Sequence, residues 1–104
     1  MTDVGLDPAK DDIEAAMRIV RRELGGQPAR LYLYGSRARG EAVPASDIDI
    51  AILPAVPLEP GTLARIREAL EESTIPYEVE VVDLSGADEA FRQRVLGEAI
   101  EWNV

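Results

Sequence analysis

The chain has 104 residues, 46% of them hydrophobic and 30% charged, with a net charge of −9, no histidine and no cysteine. That length supports one modest core and that balance excludes a disordered chain, while no apolar run approaches the roughly 20 residues of a membrane span. Without His or Cys, zinc sites, imidazole acid–base catalysis, thiolate chemistry and disulfides all drop out, so any metal is a hard, oxygen-bound cation such as Mg2+.

A single lysine, Lys10, and the acidic balance argue against gripping a long nucleic acid and suit a basic protein partner instead. The opening MTDVGLDPAKDD has neither the basic nor the apolar block of a leader peptide. With no cysteine, a cytoplasmic protein that does not enter a membrane is the expectation.

The first helix runs from about Pro8 or Asp11 to Leu24: Ile13, Met17, Val20 and Leu24 recur at helical spacing, acids lead, arginines trail, and Gly25-Gly26 stops it. Arg30 to Tyr34 reads as a strand that Gly35 ends. Ser36 to Arg39 suits one helical turn with Gly40 as its stop, and Glu41 to Ser46 is a loop. Asp47 to Leu53 is a second strand, followed by an extended connector through Pro54, Pro57 and Pro60. A second main helix over Gly61 to Ser73 presents Leu63, Ile66 and Leu70. Ile75 to Leu84 is a third strand, with Pro76 near its start. A last helix after Asp88 carries Phe91, Val95, Leu96 and Ala99 as its stripe and runs to near Trp102. The order predicts an α/β (α+β) chain, a small mixed sheet with helices packed on one face and the other face open.

The stretch GSRARGEAVPASDIDIAI carries the chemistry. Alternation along the second strand puts Ile48, Ile50 and Ile52 on one face and Asp47, Asp49 and Ala51 on the other. Two carboxylates so close repel each other unless a cation sits between them, which makes the strand a rigid mount for a divalent metal. Separated from Asp47 by a ten-residue gap, Gly35-Ser36 forms a turn whose backbone N–H groups and hydroxyl suit a phosphate at the same sheet edge. A Gly-Ser-x10-Asp-x-Asp pattern arises by chance in roughly one chain of this length per thousand. Arg37 and Arg39 flank the turn; each either donates to a triphosphate or pairs with nearby acids such as Glu41 and holds the turn. Ser46 and the tyrosines Tyr32 and Tyr34 read as structural, and Trp102 as either folded back on the core or anchoring a partner.

GSRARGEAVPASDIDIAILP resembles the nucleotidyltransferase signature of the DNA polymerase beta superfamily, and is most similar to its minimal nucleotidyltransferases (MNT proteins). The likeness extends from the first helix to Trp102 and includes IPYEVEVVDL and FRQRVLGEAIEW. The resemblance implies one minimal nucleotidyltransferase domain over residues 1–104 that moves AMP from ATP to a hydroxyl with Mg2+. By the same likeness the protein acts as an antitoxin on a tyrosine of a HEPN-type ribonuclease toxin, in a hetero-oligomer with it. Gly35, Ser36, Arg37 and Arg39 then hold the nucleotide phosphates, and Asp47 and Asp49 ligate the metal. Aligned on VVDL, Glu80 stands where the family usually has aspartate and completes the metal site as third acid and base; Asp83 matches a less critical acid. Glutamate is one methylene longer, which leaves open an antitoxin of this fold that works by binding alone. A transferase acting on small molecules of the aminoglycoside kind is the third reading, and that class normally adds a helical domain.

Overall fold

Residues 4–104 are described by the computed structural model, so the first residues of the acidic N-terminal stretch lie outside it. The elements in chain order are α1 (Lys10–Leu24), β1 (Ala29–Tyr34), α2 (Ser36–Arg39), β2 (Ile48–Pro54), α3 (Thr62–Glu71), β3 (Val79–Asp83), α4 (Glu89–Glu98) and β4 (Ile100–Glu101). Short 3-10 turns occupy Val4–Leu6 and Leu84–Gly86. The strands form one four-stranded sheet in the order β3-β2-β1-β4. β1 runs antiparallel to β2 and β4, and β2 parallel to β3, so the sheet is mixed, as expected. Among the described residues no helix is long and apolar enough to cross a membrane.

The alternation decides which face is which. Leu31 and Leu33 of β1, Ile48, Ile50 and Ile52 of β2 and Val81 of β3 are buried in one cluster with Ile13, Met17 and Val20 of α1 and Ile66 and Leu70 of α3. Each isoleucine side chain so buried stabilises the fold by about 1.5–3 kcal/mol, which makes β2 the most strongly anchored strand. Ile100 and Trp102 pack at the margin of the same cluster.

Three details differ from the expectation. β3 begins only at Val79, because Ile75 to Glu78 runs in extended and bent chain after Pro76. The last helix stops at Glu98 rather than near Trp102: Ala99 is extended, and Ile100 pairs with Leu33 as a fourth strand. A β-branched side chain with a sheet edge in reach gains more there than in a further helical turn. Finally, α1 and α3 share one face, but α4 lies on the other. It packs there with Ala51, Leu84 and Val95, and Tyr32, Tyr34 and Phe91 flank them. The open face is therefore covered around Ala51 and left uncovered toward Asp49.

Candidate active site

The uncovered end of the sheet is built from three adjacent strands. Tyr34 of β1 is the register partner of Asp49, and Asp49 is the register partner of Glu80. Asp47 lies two residues before Asp49, just outside β2, and is exposed. Tyr34 meets the ring of Phe91 edge-on at 6.4 Å, which is how α4 borders the site.

The Gly-Ser turn closes onto this row. Gly35 has φ 77° and ψ −158°, a region open almost only to glycine. A Cβ there would overlap the Asp49 carboxylate oxygen Oδ2 and stand 3.2 Å from its Cγ. The bend therefore leads straight from β1 into α2 across the Asp49 side chain. The amides of Ala38 and Arg39 both donate to the Gly35 carbonyl at 3.1 Å. Those of Ser36 and Arg37 are the first-turn positions that helical bonding leaves for another acceptor. The Ser36 hydroxyl joins no hydrogen bond among the described residues.

Electrostatics single out the acids. Among the described residues, Asp47, Asp49 and Glu80 take no part in any side-chain hydrogen bond or ion pair. Burial first, then Glu80 and then Asp47, push the Asp49 carboxyl above the usual carboxylate range. The same field reaches the neighbouring tyrosine: burial, then Asp49, Glu80 and Glu98, push the Tyr34 hydroxyl up to about 12. Tyr34 thus stays neutral beside the acids and can only donate or accept a hydrogen bond.

A carboxyl raised in this way binds its proton more tightly folded than unfolded. Ionised Asp49 therefore opposes folding above its raised pKa, and this penalty disappears below the ordinary aspartate range. Asp49→Asn is expected to raise Tm at neutral pH by on the order of a few degrees, a gain that shrinks toward pH 4 in circular-dichroism melts.

The donor set fits a hard divalent cation. All three acids offer only carboxylate oxygens, they repel one another, and Gly35 leaves room over Asp49. Among the described residues no three acids are drawn into a closed ligand cluster; Glu80 is exposed on the edge strand β3. Asp83 lies elsewhere: its Oδ1 accepts from the Ser85 amide at 2.9 Å and hydroxyl at 2.6 Å, which caps the turn after β3.

The two arginines part ways. Arg39 is exposed at the mouth of the site and is held by Glu41 and by Glu98 of α4, the latter at 2.6 Å. Arg37 requires a correction. Its side chain is 3% exposed, its Nη1 donates to Asp7 at 2.8 and 3.1 Å, and its Nε and Nη2 donate to backbone carbonyls. No donor is left for a phosphate, so Arg37 is not a nucleotide contact. Ser46 closes its own loop by accepting from the Val43 amide at 2.9 Å.

Two further residues, Asp7 and Glu98, hold the arginines. Asp7 carried one local signal, an acid just before a helix, and its Oδ1 does accept from the Ala9 amide at 2.8 Å. Glu98 carried none, because its helix was expected on a different face. A groove of about 590 Å3 between α1 and α3, lined by Arg22, Glu23, Arg65 and Glu68 among others, shares no residue with this site.

Comparison with known proteins gives the family and the fold. The family profile described as "Polymerase beta, Nucleotidyltransferase" matches residues 19–101. A curated relative from Haemophilus influenzae, named "Probable protein adenylyltransferase MntA", is 36% identical over 63 residues, 61% of this chain. The chain spans about half the length of that curated relative, 55% of it. Among solved structures, a toxin–antitoxin crystallised with AMP-PNP superposes with TM-score 0.71 at 26% identity, over 89% of this chain and 74% of its own. A protein described as a minimal nucleotidyltransferase superposes at TM-score 0.68 with 30% identity, over 91% of this chain and 93% of its own. The MNT antitoxin complexed with an AMPylated HEPN toxin from Shewanella oneidensis, at 24% identity and TM-score 0.66, covers 91% of this chain and 72% of its own and shares the fold.

Proposed function

This chain belongs to the polymerase beta nucleotidyltransferase family, and from that premise we propose that it is a protein adenylyltransferase. In this reading it moves AMP from ATP to a hydroxyl of a partner protein, a tyrosine of a HEPN-type toxin, and so serves as the antitoxin. The observation that supports the reading is Asp49, unpaired among the described residues, with Glu80 as its register partner and Asp47 two residues before it, beside a glycine bend that tolerates no side chain. The adenylyltransferase name of the curated relative and the AMP-PNP in a toxin–antitoxin neighbour support the donor and the setting.

Each residue then has a task. The Ser36 hydroxyl and first-turn amides, with Arg39, face the β- and γ-phosphates. Asp47, Asp49 and Glu80 would hold Mg2+, which when bound neutralises charge on the triphosphate. The acceptor oxygen attacks the α-phosphorus in line, the bond to the β-phosphate oxygen breaks, and pyrophosphate leaves. Glu80 takes the hydroxyl proton. Positioning and charge neutralisation supply most of the acceleration.

Glu98 competes with the ligand for Arg39, since its carboxylate holds Nη1 at 2.6 Å and carries the same sign of charge as a phosphate. Glu98→Gln is expected to tighten ATP binding by about two- to fivefold, as exposed ion pairs are worth up to about 1 kcal/mol. Calorimetric titration reads this directly, and weaker binding in the variant excludes the competition.

A second reading, an antitoxin that binds its toxin without turnover, is favoured by the exposed edge-strand place of Glu80. Incubation with labelled ATP, Mg2+ and a HEPN-type protein separates the two. Label on a partner tyrosine supports transfer; tight association without label supports binding alone. Label on an added aminoglycoside points to the small-molecule class.

A further inference from the structure

One guanidinium joins four separate stretches of chain beneath the site. Arg37 follows Ser36 directly in α2, and its Nη1 holds both carboxylate oxygens of Asp7, ahead of α1. Its Nη2 and Nε donate to the Ser46 carbonyl at 2.7 and 3.2 Å, and Nη2 also to the Pro44 carbonyl at 3.4 Å. The guanidinium carbon stands 4.7 Å over the centre of the Tyr77 ring. The Ser46 carbonyl belongs to the peptide that enters Asp47. Tyr77 precedes Glu78, whose carbonyl accepts from the Ile48 amide at 2.9 Å.

The loop Glu41 to Ser46 has few other ties. Val43 and Ser46 bond to each other, Arg39 meets Glu41, and the Glu41 amide donates to the Ser36 carbonyl. The planar fork of arginine is thus what fixes the peptide before Asp47 against the turn that carries Ser36. An ammonium group can replace its charge but not its geometry.

We propose that Arg37 is a positioning residue that sets Asp47 and the Ser36 turn relative to each other, so that its loss weakens capture of the metal–nucleotide complex beyond what its loss of stability explains. The nucleotide half of this rests on the transferase reading above. Misplacement by about 1 Å costs up to about a hundredfold in a site that works by alignment.

The test compares Arg37→Lys with a core variant of matched Tm, Val20→Ala or Ile66→Val, in α1 or α3 and away from the site. Binding of AMP-PNP with Mg2+ is measured by calorimetry well below both melting points. Arg37→Lys is expected to bind on the order of tenfold more weakly, with part of the loss recovered at raised Mg2+; the core variant stays within about twofold of the wild type. Amide hydrogen exchange of the ligand-free proteins gives a second readout. Exchange at residues 45–49 is expected to accelerate in Arg37→Lys and not in the control. Should Arg37→Lys fail to fold, Asp7→Asn keeps the shape and removes the countercharge, and the same exchange pattern is expected. Equal binding and equal exchange in Arg37→Lys and the control overturn the proposal while leaving the transferase reading intact. A wild type that binds no nucleotide overturns that reading instead, and the exchange comparison still decides the role of Arg37.

Discussion

Replacing Asp47 and Asp49 together by alanine is expected to leave a folded protein that has lost almost all transfer. Among the described residues neither side chain forms a hydrogen bond or ion pair, and the backbone of β2 is held by its isoleucines on the opposite face. Removing the pair relieves repulsion that already weighs on Asp49. The fold therefore has nothing to lose, while the reaction loses both acids that would hold its cation. A fall in transfer of on the order of a thousandfold or more is expected, with the circular-dichroism spectrum preserved. Labelled ATP and the partner protein provide the assay. Transfer at the wild-type rate by the double variant eliminates these acids as the centre of the chemistry.

Gly35→Ala is the second large effect, and it works through a single methyl group. Alanine at φ 77°, ψ −158° carries about 1–3 kcal/mol of backbone strain. Its Cβ would also overlap Oδ2 of Asp49, so either the carboxylate turns away or the bend opens. The expected result is a Tm lower by about 5–15 °C and transfer reduced at least as far as in Asp49→Ala. A variant that keeps both wild-type Tm and activity means the bend and the acid do not share one space. The two predictions bear on opposite sides of the same contact, since one removes the acid and the other removes its room.

Much of this layout was legible in local pattern. Ile13, Met17, Val20 and Leu24 marked α1, and the alternation of β2 separated isoleucines from aspartates with the correct faces. Glu80 came from aligning VVDL with the resembled family, and it stands beside Asp49 in the register. What was not legible depended on distant partners. Periodicity says that α4 has an apolar stripe but not which side of a sheet receives it. Leu96 of that stripe is 38% exposed and Val95 alone in α4 is fully buried. Arg37 resembled Arg39 in sequence, one residue apart from it. Their fates diverged because Asp7, thirty positions away, meets one and not the other. Ile100 read as helix because its strand partner, Leu33, lies far back in the chain.

The strict division of β2 has a consequence for how errors in folding are handled. Sliding this strand by one position against β1 and β3 would expose Ile48, Ile50 and Ile52 to water and drive two carboxylates into the hydrophobic interior. No molecule that tolerates such a slip can be stable, so the oily half of the sheet proofreads the alignment of the chemical half. Selection for a well-sealed interior thereby preserves the registration of Asp47 and Asp49 as a by-product.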